Sequence, residues 1–498
     1  MSFISDFSQM SMPLRKLLQA GGAALAVMAV VLIFFCPRFY LWQALGNKQG
    51  GVYPEVGRAQ VVLAQLRNPY VIVLGDTHQV VQWRLFFPSL GHLLRMPPGV
   101  FLALPWAGAW LCLGWVFACA RSRTGSAWGA AAVTLLMATL SWFFVATGWL
   151  SYNDGWLVLA LCLYAFSPSQ VARIAVCLVT PWVDERFVFQ LPLLAVLRHS
   201  VLARPLGQWR VTLREFGYEL LAVGPYVLMR SYLLAAGMDA SGREHIARHL
   251  GNRDPAQIIR GLWEGLRMGW VTMLLGAAAI RERMRSLAAV AGLAAAALLA
   301  NVLLAHDISR VTSVLAPLVL AACLAMAARQ GRWGLRAVGA LAVCNLLLPA
   351  SDVIENAGGG PIAPVWRAWR EGRRMEQAMV DASEGNKAYR AGDYAAAVRL
   401  LSAALASESD FADARRGLAW SYFYQGQFGS SLKEATVVTD SEAVRPEDWL
   451  LRGLCEAKVN RVADARRSLG RVLEMGHSVD VQARDVAKKV LSQLPRTP

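Results

Sequence analysis

Eight apolar stretches, near residues 20–37, 99–120, 127–150, 215–237, 266–280, 286–305, 311–328 and 333–350, govern what this chain can fold into. They run from 15 to 24 residues, around the ~20 that an α-helix needs to cross a bilayer core. Lipid offers no partner to exposed backbone N–H and C=O groups, so such segments are expected as helices. With 56% hydrophobic and 17% charged residues over 498 positions, the balance is not that of a soluble domain. The expected fold class is therefore all-α, with a polytopic membrane bundle over 1–350. A linker over 351–371 follows, where Gly358, Gly359 and Gly360 precede Pro361 and Pro364, and a polar helical domain occupies 372–498.

The region 155–198 does not fit a simple count. DGWLVLALCLYAF, VARIAVCLVTPW and FVFQLPLLAVL are three short apolar pieces, separated by SPSQ and by VDER. Lys and Arg in short loops set sidedness. Arg15 with Lys16, Arg121 with Arg123, the group Arg198, Arg204, Arg210 and Arg214, and the RERMR turn from Arg281 to Arg285 all mark the cytoplasmic side. Residues 151–154 are then outside and 198 inside, which requires an odd number of crossings between them. Three short crossings place Asp184 and Glu185 at the outer face; a single one would bury them or leave them cytoplasmic. Pro168, Pro181 and Pro192 fall where short or broken helices tolerate them. Three crossings give about eleven spans, with the N-terminus cytoplasmic and the polar domain outside.

The run Ala20–Phe35 lacks a following small-residue cleavage site and reads as a retained first span. The formal charge of +16 is what Arg-rich inner loops produce, and no nucleic-acid motif accompanies it, so no nucleic-acid partner is expected. Seven of the eight cysteines lie in apolar segments and Cys455 in the tail, with no CxxC and no metal-type spacing.

The tail has a period. Gly392, Gly426 and Asn460 are spaced by 34 residues each, with Tyr394, Phe428 and Val462 two positions later and Ala397, Ser431 and Ala465 five positions later. Trp449 and Gly453 supply a W-x-x-x-G start to the third unit. This pattern resembles the tetratricopeptide repeat, over roughly 380–475, with a capping helix from Val479 to Gln493. The resemblance implies an α-solenoid whose concave groove holds a peptide or protein. Tyr422, Tyr424 and Trp449 are candidate groove residues; Tyr422, Phe423 and Tyr424 at helical spacing serve equally as repeat core.

Charges in the apolar half are the candidates for chemistry. A charge at a helix centre costs about 2.5–3.5 kcal/mol on insertion scales, so Asp184, Glu185 and Arg186 in PWVDERFVFQLPLL are either outside lipid or functional. With the topology above, Glu55, Asp76, Asp154, Asp184, Glu185 and Asp307 all gather on the outer side. The first outer loop, 46–98, holds EVGRAQVVLAQL, read as an interfacial helix with Arg58, Gln60 and Gln65 on its polar face and Val61, Val62, Leu63 and Leu66 as its apolar residues. GDTH follows, with Asp76 and His78 ahead of Trp83 and Arg84.

This layout, a long first outer loop with an early Asp, interfacial helices, later outer charges and a soluble C-terminal domain, resembles the GT-C glycosyltransferases. Some of that class, the tetratricopeptide-bearing protein O-mannosyltransferases, also end in repeats. The resemblance implies transfer of a sugar from a polyprenyl-phosphate donor to a glycan or protein acceptor, at the outer face of a bacterial inner membrane, with the repeats periplasmic. It implies Asp76 as base, and Asp184 and Glu185 as a second acidic cluster for acceptor or divalent metal. Arg186 and Arg310 would be phosphate partners, and His78, Arg84 and Asp307 further substrate contacts. Two local alternatives stand beside it: an ion pair within DER that caps a broken helix, and Asp307 as the N-cap of HDISR. LRHSVL around His199 also resembles the His-bearing loops of O-antigen ligases and polymerases, which use polyprenyl diphosphates. A non-catalytic scaffold of an envelope or exopolysaccharide machine is the third reading.

Overall fold

A computed structural model describes residues 14–35, 54–70, 83–201, 209–236, 255–280, 284–304, 308–348, 365–409, 411–440, 445–474 and 481–495. Every regular element among them is helical. Two compact units result, one from the helices up to residue 348 and one from residue 369 onward.

The first unit opens with α1 (Leu14–Phe34), α2 (Pro54–Arg67), α3 (Phe86–Leu93), α4 (Pro98–Thr124), α5 (Ala127–Ala138) and α6 (Ser141–Gly148). Next come α7 (Asp154–Phe166), α8 (Gln170–Val179) with a 3-10 turn Thr180–Trp182, α9 (Arg186–Val201) and α10 (Trp209–Ala235). It closes with α11 (Pro255–Leu266), α12 (Met268–Ala279), α13 (Met284–Leu304), α14 (Ile308–Thr312) and α15 (Ala316–Leu347). Its core is one continuous apolar cluster in which α4, α5, α6, α7, α9 and α15 all take part through residues such as Leu113, Leu136, Trp142, Phe143, Leu161, Leu194 and Leu320.

Among the described residues three helices are long and apolar enough to cross a membrane: Leu14–Phe34, Pro98–Thr124 and the stretch Ile308–Leu347. The pair α5 and α6 makes a fourth if its 67° bend is taken within one span. The eleven spans expected from the sequence are not confirmed by the described helices, several of which break where hydropathy registers no break. α7, α8 and α9 have 13, 10 and 16 residues, or roughly 20, 15 and 24 Å at 1.5 Å per residue, against a hydrocarbon core of about 30 Å. α15 folds back at Gly331, whose φ of 54° stops the helix. Both Val319, before the break, and Asn345, after it, meet the start of α12 at Gly269 and Met268.

A third break lies at Arg267, which has a positive φ of 47° between α11 and α12. Its buried guanidinium donates to the carbonyls of Thr139 and Leu348, the last groups of α5 and α15. A cation at two helix C-termini complements the partial negative charge there.

Two close helix crossings set the positions of α7 and α14. Gly155 lies against α4 so tightly that an added Cβ would be 2.5 Å from the backbone N of Ala109, which fixes the N-terminal end of α7. On α11, Gly261 and Gly265 admit α14: added Cβ atoms would collide with the Cβ atoms of Ile308 and Thr312. This small-xxx-small spacing lets two backbones approach. Ser141 Oγ donates to the Ser309 carbonyl at 2.7 Å and holds α14 from the other side.

The second unit comprises α16 (Val365–Arg390), α17 (Tyr394–Ser407), α18 (Ala412–Tyr424), α19 (Phe428–Thr439), α20 (Pro446–Lys458), α21 (Val462–Glu474) and α22 (Val481–Gln493). The 34-residue period has a backbone cause: Gly392, Gly426 and Asn460 occupy the turns within successive helix pairs with φ of 82°, 74° and 62°. Gly at two positions and Asn at the third are the residue types that tolerate this region. Gly385 against Leu401 in the first pair is matched by Gly453 against Leu469 in the third.

Candidate functional site

Helices α7, α8 and α9 form a zigzag. Asp154, the first residue of α7, and Arg186, the first of α9, lie at one end with the turn between α8 and α9. Tyr164, Arg173 and Arg198 lie at the other end. α10 runs alongside, with Glu215 and Glu219 at the second end and Tyr226 at the first, its ring 5.3 Å from Trp182. Each end carries a buried ionic network.

The network at the first end draws on four separated segments of chain. Arg84, two residues before α3, donates to both carboxylate oxygens of Glu185, at 3.0 and 2.7 Å, and reaches Asp184 Oδ2 at 3.0 Å. Asp184 is fully buried and accepts from the backbone N of Arg186 at 3.1 Å, and from Nε and Nη2 of Arg186 at 2.8 Å each. Arg186 Nη2 also donates to Asp154 Oδ1 at 2.6 Å. Arg310, on α14, places Nε 2.9 Å from both oxygens of Asp154 and Nη2 3.4 Å from Asp184 Oδ2. Carboxylates at the starts of α7 and α9 also suit the positive ends of those helices.

Electrostatics keep these groups ionised. Burial favours the neutral form of Asp184, but Arg186 and Arg84 outweigh it and hold the carboxyl well below the usual range. Glu185 is likewise lowered, its burial outweighed chiefly by Arg84. Burial works against the Arg84 cation, and Asp184 and Glu185 reverse this, raising it above its ordinary value.

One cation at this end has no such partner. Arg58, on α2, is 6% exposed, and its guanidinium stands 3.8 Å from the centre of the Tyr152 ring. Its Nε has no hydrogen-bond partner, and no carboxylate among the described residues pairs with it. Burial, with the positive charges of Arg84 and Arg310, lowers it to about 10, still protonated at neutral pH. Arg310 shares the same ring at 4.5 Å. Ser151, held at φ 65°, has a buried Oγ without a partner, and the buried indole N–H of Trp83 has none either. The site thus joins four guanidinium groups, of Arg58, Arg84, Arg186 and Arg310, to three carboxylates, of Asp154, Asp184 and Glu185.

At the opposite end Arg173 donates to Glu219 at 2.7 Å and to Glu215 at 3.1 Å, and Arg198 pairs with both. The Tyr164 hydroxyl donates to Glu219. Among the described residues two cations and two carboxylates meet here. Twelve residues of α9 separate Arg186 from Arg198, roughly 18 Å along the helix, so neighbouring His199 does not join the first network.

Of the residues singled out from sequence, Arg84, Asp184, Glu185, Arg186 and Arg310 come together. Asp76, His78 and Asp307 lie outside the described residues. The local ion pair expected within DER is present as one part of the larger network. Asp154 was legible only as an outer acid, and Arg58 was assigned to a solvent-facing side. The structure corrects that helix: Arg58, Val61, Val62, Gln65 and Leu66 are buried together, while Gln60 is exposed. A divalent metal finds no ligand set here. Every carboxylate contacts at least one guanidinium, and no group of three or more His, Cys, Asp or Glu among the described residues is arranged to hold a metal ion.

In the second unit Tyr424 is 52% exposed and stacks on Tyr394, centroids 4.9 Å apart at 14°, with Trp420 at 5.9 Å and Tyr389 at 6.2 Å. Tyr422 is half-buried outside this stack, and Trp449 packs on Leu450 and its neighbours with Arg452 over its ring. Tyr389, Tyr394 and Trp420 were not singled out from sequence, although Tyr394 marks the repeat period.

The tetratricopeptide repeat family matches residues 388–455. No curated protein and no solved structure matches the chain. The C-terminal unit therefore carries tetratricopeptide repeats, an architecture whose concave surfaces generally bind proteins or peptides.

Proposed function

We propose that this chain is a membrane glycosyltransferase that moves a sugar from a polyprenyl-phosphate donor to a glycan or protein acceptor at the outer face of the membrane. One observation supports the reading: arginines from α2, the loop before α3, α9 and α14 converge on one buried site with an excess of positive charge. Glycosyl transfer builds negative charge on the departing lipid phosphate, and fixed guanidinium groups in a dry site stabilise that charge.

The carboxylates Asp184 and Glu185 act in this reading by aligning Arg84, Arg186 and Arg310, since each is already ion-paired. The base role stays with Asp76, eight positions before Arg84 in the chain, with His78 and Asp307 as further substrate contacts. The repeats present the acceptor or recruit a partner through the Tyr394, Trp420 and Tyr424 face. The ligase or polymerase reading leans on His199, which lies at the other network.

The test is transfer by the full-length protein in proteoliposomes, using a panel of prenyl-phosphate hexoses as donors. A general base contributes about 10²–10⁴-fold, so Asp76→Asn should lower the rate at least ~100-fold, and Arg310→Gln should do so with its fold retained. Full activity in both variants ends the reading. Tag accessibility at residue 185 and at the C-terminus checks that both are on the outer side.

A further inference from the structure

We infer that Arg58, with Arg310 across the Tyr152 ring, receives a single phosphate group, the one charge that the described residues of the buried network lack. The lipid-linked form of that phosphate rests on the transferase reading; the anion site itself does not.

Three carboxylates neutralise three of the four guanidinium groups, and the geometry shows which is left over: Asp154, Asp184 and Glu185 contact Arg84, Arg186 and Arg310, and none contacts Arg58. Burying an ion without a counter-ion is costly, and a ring face offsets only part of that cost. An anion that binds here removes that deficit. A phosphodiester, or a monoester that keeps one proton, carries one negative charge, which matches the excess among the described residues, and guanidinium groups engage phosphate oxygens in pairs. Arg58 and Arg310 stand 3.8 and 4.5 Å from one ring centre, so both can reach one ligand.

Other donors point the same way. Ser151 Oγ, next to Tyr152 in the chain, and the indole N–H of Trp83, next to Arg84, are buried and without partners. A phosphate group offers several oxygens to such donors, whereas a chloride ion is a single acceptor atom. The covering helix fits as well: α2 turns Arg58 and Gln65 inward with Val61 and Val62, an arrangement without a purpose for an interfacial anchor.

The experiment uses the full-length protein in detergent and measures binding of farnesyl phosphate, farnesol and inorganic phosphate, with thermal unfolding as a second readout. Farnesyl phosphate should bind and raise the unfolding temperature above an ionic-strength-matched chloride control, and farnesol should not. Arg58→Gln should weaken that binding at least 10-fold and Arg58→Lys less, because lysine keeps the charge without the fork. Equal affinity for inorganic phosphate and farnesyl phosphate, both Arg58-dependent, would support the anion site and overturn its lipid source. Unchanged farnesyl phosphate binding in Arg58→Gln, or equal binding of farnesol, overturns the proposal. If Arg58→Gln does not fold, Arg58→Lys and the wild-type phosphate-over-chloride shift decide it. Binding lost with sugar transfer intact would remove this subsite and leave the transferase reading, while binding without transfer would do the reverse.

Discussion

Replacing Asp154 by Asn puts the ionic network to its most direct test. Asp154 is fully buried, and its two oxygens take one contact from Arg186 at 2.6 Å and two from Arg310 at 2.9 Å. Asparagine keeps the volume and one acceptor but removes the charge. Among the described carboxylates Arg186 and Arg310 would then be left with Asp184, which Arg84 also contacts at 3.0 Å and Arg310 reaches only at 3.4 Å, and the uncompensated positive charge would double. Removing one partner of a buried pair costs about 3–5 kcal/mol; the retained acceptor argues for the lower end, about 3 kcal/mol. That is roughly a 100-fold change in the unfolding equilibrium. For a unit of this size it corresponds to about 6 °C, at roughly 2 °C per kcal/mol. Thermal unfolding of the purified full-length protein reads it, and a cycle with Arg310→Gln isolates the pair. The two changes together should destabilise by about 2 kcal/mol less than their sum, because the second removes a cation already stranded by the first. Added phosphate should restore more stability to Asp154→Asn than to the unaltered chain. Additive effects in the cycle, or unfolding within about 0.5 kcal/mol of wild type, would refute the reasoning.

The network at the other end should behave differently. Glu219→Gln breaks contacts with Arg173, Arg198 and Tyr164 and is expected to destabilise by about 3 kcal/mol, yet to leave farnesyl phosphate affinity within twofold; a 10-fold loss of affinity would show that the two ends are coupled. Acid should also discriminate. Asp184 and Glu185 have lowered values in the folded protein, so the unfolded chain binds more protons, and their stabilisation is complete above the ordinary carboxylate values near 4 and fades as pH falls below them. The unfolding temperature should be flat from pH 8 to 5 and fall below about 4. A transition centred between 6 and 7 would show that another group governs the site.

The sequence makes some of this site legible and hides the rest for identifiable reasons. Asp184, Glu185, Arg186 and Arg310 stand out because charges interrupt apolar runs, and Arg84 because it follows GDTH and Trp83. Asp154 sits before an apolar run just as many helix-start acids do, and nothing in SYND separates a site residue from a cap. Arg58 is obscured by the usual reading of an amphipathic helix, in which polar residues face water. Its spacing held the signal: Arg58, Val61, Val62 and Gln65 fall at i, i+3, i+4 and i+7, one face of a helix, so the polar and apolar residues share a side. The span count is not confirmed, for another reason. Hydropathy measures the length of apolar sequence, whereas the breaks at Thr139–Leu140, Arg267 and Gly331 come from backbone dihedrals and helix capping. The repeats were readable because their turns demand positive φ, and that demand fixes Gly or Asn every 34 residues.

The two networks together separate structure from binding. Helices as short as α8 bury too little surface to fix their own register, and an ionic clamp at each end of the zigzag supplies what packing does not. A clamp that only staples helices has no reason to carry net charge, and the described residues Arg173, Arg198, Glu215 and Glu219 pair two cations with two carboxylates. The clamp at Asp154, Asp184 and Glu185 is already complete with Arg84, Arg186 and Arg310. Bringing Arg58 in from a separate helix adds a buried cation that stapling does not require. Stability alone would select against it, so its presence is accounted for by what binds it, and the excess charge marks which end of the zigzag receives a ligand.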